Sequence, residues 1–332
     1  MMRINQIWEE LENDQSSLQG LVLRRYSRTF LPDVFIAVKQ PEKFRCIASS
    51  IDSSRKIDLR PFSNLQDITV DLSSDESRPG KNILLLKLLS KQHQDIFSII
   101  CEDLIDNIST ITSENQLVNV LLSRFDKWKS IFDKVASPGL SKEEQRGLYG
   151  ELLFLRKCFQ TKMNFLKVVD TWNGPEKGAK DFLSDKWGVE IKTSTGTNPQ
   201  KIQISSEKQL DPENLESLFM FHIILEEKAS CETLNGMIEN LTELLQDDYI
   251  SVNRFRNKLL EAGYFDQHKN LYDTPGYYVK KENFYLIEKE FPRIQKTDLR
   301  DGVEEVRYSI MIGQCSSFTV SEETAFKNIT FI

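Results

Sequence analysis

Apolar positions along the chain follow two alternating rhythms, and the switches between them mark the elements. A helical period over Ile4 to Leu11 predicts a short amphipathic helix. Strand signals follow at Val34 to Val38, Phe44 to Ala48, Ile68 to Leu72 and Ile83 to Leu89, with a plain turn from Ser73 to Gly80 between the last two. From Gln94 the helical period returns, carried by Ile96, Phe97, Ile100, Cys101 and Leu104. Ser113-Glu-Asn-Gln116 is a capping box for a second helix with Leu117, Leu121, Phe125, Trp128 and Phe132 on one side. Ser141-Lys-Glu-Glu144 caps a third, which carries Leu148, Leu152, Leu155 and Phe159. Phe165 to Val169 reads as a strand. Phe182-Leu183 and Gly188-Val189 with Ile191 flank the polar Ser184-Asp185-Lys186 and predict a β-hairpin. Lys201 to Ser205 alternates as a strand. Leu218 to Leu225, interrupted only by His222, is a strand buried on both faces. Leu234, Met237, Ile238, Leu241 and Leu244 define a helix after Thr233, and Val252 to Tyr264 another. Strands are expected at Tyr277 to Val279, Phe284 to Ile287 and Glu305 to Ile312.

These blocks divide the chain into a β-rich N-terminal unit (1–93), a helical connector (94–136), a core of helix, hairpin, strands and helix (137–245) and a C-terminal α/β extension (246–332). Ser137-Pro138-Gly139 is the expected boundary. The last strands are expected to complete a sheet shared with the N-terminal unit, so that the extension packs on it. The fold class is α/β in the mixed α+β sense.

Composition narrows the function classes. Hydrophobic residues at 39% and charged residues at 28% are those of a soluble globular protein. A net charge of −7 argues against non-specific coating of nucleic acid, but leaves room for a local basic groove. Arg24, Arg25 and Arg28, with Tyr26 and Phe30, form such a candidate; a strand with a solvated charged face is the favoured reading of the same residues. The five cysteines are scattered and odd in number, without a CxxC pair, which suggests neither a disulfide framework nor a zinc site. No signal peptide precedes Asn5 and no apolar run reaches bilayer length, so a cytoplasmic location is expected. Walker A, GxSxG, HExxH and GxGxxG patterns are all missing.

The candidate chemistry lies in the hairpin. With Asp185-Lys186 as a two-residue turn, Asp181 stands opposite Glu190, and alternation puts Glu190 and Lys192 on one face, Val189 and Ile191 on the other. Asp-Lys is not a preferred turn pair, so a longer loop with a shifted register is the alternative. Two close carboxylates repel, and a divalent cation relieves that repulsion. Carboxylate oxygens suit Mg²⁺ or Mn²⁺, which also takes phosphate oxygens as ligands. Lys192 would then orient or help deprotonate a water and stabilise charge on a phosphodiester. A bare Glu-x-Lys is more often a solvated strand, so its surroundings must carry the argument. Glu151 lies on or beside the buried face of its helix: it either points into the site or snorkels from the edge of the apolar stripe. Lys177 and Lys180 add positive charge beside the presumed scissile phosphate. Asp170 reads as a turn residue, and His222 as a core histidine.

Asp181 followed by Glu190-Ile191-Lys192 on an apolar strand resembles the PD-(D/E)XK nuclease superfamily, with its restriction-endonuclease-like mixed central sheet flanked by helices. Gly150-Glu151-Leu152-Leu153, Trp172-Asn173-Gly174-Pro175, Lys180-Asp181-Phe182, Val189 to Ser194 and Ser206 to Leu210 look like the PD-(D/E)XK motif proteins found among bacterial restriction and phage-defence genes. Lys180 stands where the family's name has proline. The resemblance implies a Mg²⁺-dependent endonuclease acting on double-stranded DNA and leaving a 5′-phosphate, with Mn²⁺ able to substitute. It places metal on Asp181, Glu190, the Ile191 carbonyl and Glu151, and gives Lys192 and Gln209 catalytic roles; for Gln209 an exposed helix position is the alternative. Other restriction or defence proteins are expected partners, and a homodimer would offer two cutting sites. The alternative function is a non-catalytic DNA-binding or assembly subunit on a nuclease-like fold.

Overall fold

The computed structural model describes residues 3–14, 18–27, 33–62, 67–109, 111–135, 139–161, 164–176, 178–196 and 201–330. It is mixed α/β and divides into two units, 1–136 and 137–332. Ser137, Pro138, Arg28, Phe30, Lys177 and the Phe132 side chain lie outside the described residues. Among those described, no helix is long and apolar enough to cross a membrane.

The first unit comprises α1 (Arg3–Glu12), β1 (Gly20–Arg25), β2 (Val34–Gln40), β3 (Phe44–Asp52), β4 (Ile68–Ser74), β5 (Lys81–Leu88), α2 (Gln94–Ile108) and α3 (Glu114–Val135). Its strands form an antiparallel sheet in the order β1-β2-β3-β5-β4. Trp8 holds α1 to that sheet: its indole N–H donates to the carbonyls of Ala37 at 3.1 Å and Cys46 at 3.0 Å, and its ring stacks on Phe97 of α2. Buried Asp103 joins the two long helices by accepting from the Arg124 guanidinium, twice at 2.7 Å, and from the Trp128 indole at 2.8 Å. Two of the N-terminal arginines are engaged internally. Arg24 pairs with Glu10 and Arg25 with Asp33, which weighs against their reaching for phosphate.

The second unit contains α4 (Lys142–Gln160), α5 (Phe165–Thr171), β6 (Phe182–Leu183), β7 (Trp187–Thr195), β8 (Lys201–Ile204), β9 (Ser217–Glu227), α6 (Leu234–Leu244), α7 (Tyr249–Glu261), β10 (Tyr277–Leu286), β11 (Tyr308–Met311), β12 (Thr319–Val320) and α8 (Glu322–Asn328). Its main sheet has the order β12-β10-β9-β7-β6, with β7 and β9 parallel and the other neighbours antiparallel. Val189 and Ile191 of β7 and Phe219, Phe221 and Ile223 of β9 pack with α4 and α6 in the larger core. Leu218 and Met220 face the opposite way, against Ile202, Ile204 and Ile310 from a separate two-stranded sheet of β8 and β11. Phe154 sits at the middle of the larger core, with its ring 4.6 Å from that of Phe182 and 5.9 Å from that of Phe221. Phe154→Ala is expected to cost about 3–5 kcal/mol in urea unfolding, because an aromatic side chain is lost where neighbours cannot collapse.

Three expectations are corrected. Phe165 to Val169 belongs to a helix: Asn164 caps it by accepting from the Lys167 N–H at 3.0 Å, and Phe165, Val168, Val169 and Trp172 follow helical spacing onto one face. Asp170 is thus a helical residue, paired with Arg254 at 2.6 Å, and not a turn. Among the described residues, the strands of the extension pair within the second unit's own two sheets, not in a sheet with the strands of the first. The signals at Tyr277 and Phe284 are one strand with a bulge between Val279 and Lys281, paired along β9, while β11 pairs with β8. The reason is the largely apolar β9, buried over most of its length, whose backbone groups need a partner strand on each edge.

Candidate active site

Two elements set the acids. Helix α4 begins in the expected capping box: the Ser141 hydroxyl accepts from the Glu144 N–H at 3.3 Å and the Ser141 N–H donates to Glu144 at 2.8 Å. It lies close to β7 because residue 150 is glycine; a Cβ there would collide with Thr193 and stand 3.3 Å from Ile191. That approach brings Glu151 to the edge strand of the sheet. The hairpin has the expected register, with Phe182 opposite Val189 and Leu183 opposite Gly188, so Asp185-Lys186 is the turn and Asp181 continues opposite Glu190. The Ser184 N–H to Trp187 carbonyl bond of 2.9 Å closes it. The ladder of β6 ends after two residues, and the amides of Asn173 and Gly174 take over, donating to the Asp181 carbonyl at 2.7 and 3.0 Å.

The side chains converge as follows. Lys192 Nζ lies 2.8 Å from Glu190 Oε1 and donates to Gln209 Oε1 at 3.1 Å. The Ser205 N–H donates to the same Gln209 oxygen at 2.8 Å, so Gln209 reaches the site and directs the lysine. Asp181 Oδ2 accepts from the Ile191 N–H at 2.7 Å. Glu151 Oε2 accepts from the Trp172 indole at 2.6 Å. Glu151 and Asp181 face each other across Gly174, whose missing Cβ would collide with the Glu151 carboxylate and stand 3.1 Å from Asp181 Oδ1.

The electrostatics follow from this crowding. Burial, and then the charge of Asp181, push Glu190 up to about 8 despite Lys192. Burial also raises Asp181, against the pull of Lys192 and the Ile191 N–H. Glu151 is pushed well above the ordinary carboxylate range by burial and then by Asp181, with the Trp172 indole opposing. Burial works against the charge of Lys192, but Glu190 and Asp181 outweigh it and its pKa rises. Lys192 is therefore a cation at neutral pH, which suits it to hold charge and not to take a proton.

Among the described residues no three acidic, histidine or cysteine side chains already stand together as a metal cluster, and Asp181 and Glu151 each accept one N–H. The donor set nevertheless fits a hard cation. Buried Glu190 Oε2 has no hydrogen-bond partner, and the space over Gly174 is bordered by two carboxylates. Gly174→Ala is expected to fold with a Tm within a few degrees of the parent, yet to lose at least about tenfold in Mn²⁺ affinity by titration calorimetry, because its methyl group would push aside the end of the Glu151 side chain.

Lys180 does not stand open to a phosphate. It is buried, its Nζ donates to the Lys208 carbonyl at 2.8 Å, and its charge acts on Glu190 from within. His222 is a core residue, 2.8 Å from the Ser194 hydroxyl and held down to about 4 by burial. Sequence reasoning gave no role to Trp172 or Gly174, although both lie in the quoted Trp-Asn-Gly-Pro segment. A tryptophan ahead of an Asn-Gly turn was the available signal.

A mixed sheet whose edge hairpin sets an acid opposite a Glu-x-Lys strand, with a further acid delivered by the preceding helix, defines a PD-(D/E)XK-type protein. The chain belongs to the family described as "Putative PD-(D/E)XK family member" (DUF4420), whose family model matches residues 4–313 and so runs through both units. No curated protein and no solved structure matches the chain.

Proposed function

We propose that this protein is a metal-dependent endonuclease that hydrolyses phosphodiester bonds of double-stranded DNA. The observation that carries the reading is the meeting of Asp181, Glu190 and Lys192 at one hairpin, with Glu151 beside them. Asp181 and Glu190 would hold Mg²⁺, with the Ile191 carbonyl and Glu151 as further donors. Such an ion, when bound, acidifies water and neutralises charge on phosphate oxygens. Lys192 holds its ammonium where negative charge grows as the water oxygen bonds to phosphorus. Gln209 fixes that ammonium by its hydrogen bond. The bond from phosphorus to the 3′ oxygen breaks, water supplies the proton which that oxygen takes up, and the 5′-phosphate remains on the product. Partners from a restriction or phage-defence system would supply target selection, in keeping with the paired state of Arg24 and Arg25.

The second reading, a non-catalytic DNA-binding or assembly subunit, is favoured by one feature. Lys192 Nζ already lies 2.8 Å from Glu190 Oε1, so the lysine and the acid are engaged with each other inside the chain. Modified and unmodified plasmids, incubated with the purified protein in Mg²⁺, Mn²⁺ or EDTA, separate the two. Nicking that needs the metal is expected. Binding of DNA with no cleavage in either metal would establish the subunit reading instead.

A further inference from the structure

The loop Trp172–Glu176 touches both acids of the site. The Trp172 indole holds Glu151, the Asn173 and Gly174 amides hold the Asp181 backbone, and Gly174 lies between the two carboxylates. A loop with that duty needs an anchor of its own, and helix α7 supplies one. Lys258 is 3% exposed, and its Nζ donates to the Trp172 carbonyl and, at 3.1 Å, to Glu176. The anchor thus grips the loop at both ends. Phe255, one turn earlier on α7, packs its ring 5.9 Å from that of Trp172, and Arg254 pairs with Asp170 just ahead of the loop. A lysine buried this far is costly unless its charge and donors are used. Burial lowers its pKa, yet a carbonyl and a carboxylate meet its ammonium. An apolar residue would cover the same surface, so packing alone does not account for lysine here.

We infer that Lys258 is a positioning residue that sets the separation of Glu151 and Asp181 through the Trp172–Glu176 loop. The inference rests on the nuclease reading of those acids. With the clamp in place, the loop that touches both carboxylates is fixed before an ion arrives, and the ion's binding would not have to order the loop. Lys258 touches neither substrate nor reacting atoms in this scheme.

The test uses the full chain as wild type, Lys258→Met, Lys258→Arg and Glu176→Ala. Each is titrated with Mn²⁺ by calorimetry, with tryptophan emission followed in parallel because Trp172 lies on the loop, and each is assayed on plasmid DNA. Lys258→Met is expected to raise the Mn²⁺ Kd at least about tenfold and to lower kcat, leaving the KM for DNA and the Tm near those of wild type. Lys258→Arg, which can still donate to both partners, is expected to stay within about threefold of wild type. Glu176→Ala removes one anchor from a more exposed position, and should weaken Mn²⁺ binding by an intermediate factor. Wild-type Mn²⁺ affinity in a folded Lys258→Met overturns the inference while leaving the nuclease reading intact. If Lys258→Met does not fold, unchanged affinity in Glu176→Ala overturns it. A wild-type chain that binds no Mn²⁺ and cuts no DNA removes both the nuclease reading and the role assigned to Lys258.

Discussion

Asp181→Asn, Glu190→Gln and Lys192→Met are each expected to lower metal-dependent DNA cleavage by at least about 10²–10³-fold, with circular dichroism and the melting profile close to wild type. The amides are isosteric with the acids, so packing on the sheet is retained while the charge is lost. Glu190 is the sharpest of the three. It is 1% exposed, its charge is opposed by burial and by Asp181, and Lys192, then Lys180, compensate it only in part. Its glutamine variant is therefore expected to be at least as stable as the parent without metal while inactive with it. Stability retained while function is lost is the signature of a group kept for chemistry. Lys192→Met is expected to leave Mn²⁺ binding within a few-fold of wild type but to abolish cleavage, which separates the ammonium from the metal-holding acids. A Lys192→Met protein that cuts DNA at the wild-type rate would remove Lys192 from the mechanism.

The metal-free protein is expected to lose stability as pH rises from about 5 to about 8. A carboxyl pushed up to about 8 in the folded chain still holds its proton where the unfolded chain, with the ordinary 4.5, has released it. The folded state then binds more protons than the unfolded one. Its Glu190 contribution is complete below about 4.5 and falls, by at most about 1.4 kcal/mol per pH unit, until the folded pKa is passed. Glu151 and Asp181 are raised as well and act in the same direction, while His222, held down to about 4, opposes them only below its ordinary 6.5. Raised Lys192 leaves this window untouched, since its charge is lost only at higher pH. A divalent cation binds the ionised carboxylates, so Mg²⁺ or Mn²⁺ is expected to raise Tm more at pH 8 than at pH 6. Glu190→Gln should reduce both dependences, with Glu151 and Asp181 carrying the remainder. Differential scanning calorimetry across pH, with and without Mn²⁺, reads the effect directly, and a metal-free Tm that climbs between pH 5 and pH 8 would contradict the buried-carboxylate assignment.

The local rules reached far into this protein because its elements are locally consistent. Ser141-Lys-Glu-Glu144 is a capping box in fact as in sequence, and Thr233 caps the helix expected after it. The Asp185-Lys186 turn, poor by its own preferences, forms because Phe182 and Val189 must share the buried face, so the hydrophobic pattern overrules the turn residues. Where two periods fit equally, the local signal failed. Phe165 to Val169 contains too few residues to separate a helix from a strand, and only the Asn164 cap and the burial of Val168, Val169 and Trp172 decided it. The pairing partners of β10 and β11 were equally hidden, because an alternating strand does not name its neighbour.

Pattern and spacing alone were thus enough to set the hairpin and the shared face of Glu190 and Lys192, because side chains alternate with a period of two whatever surrounds them, while the choice between the two-residue turn and a shifted register was left to the structure. Only the tertiary structure could bring Gln209 to Lys192, place Trp172 and Gly174 between Glu151 and Asp181, spend Lys180 on a carbonyl and anchor the loop from Lys258, 86 residues beyond Trp172. These contacts join segments distant in sequence, and their energies depend on burial and on which partner an approaching helix supplies. Neither quantity is a property of any short stretch of chain.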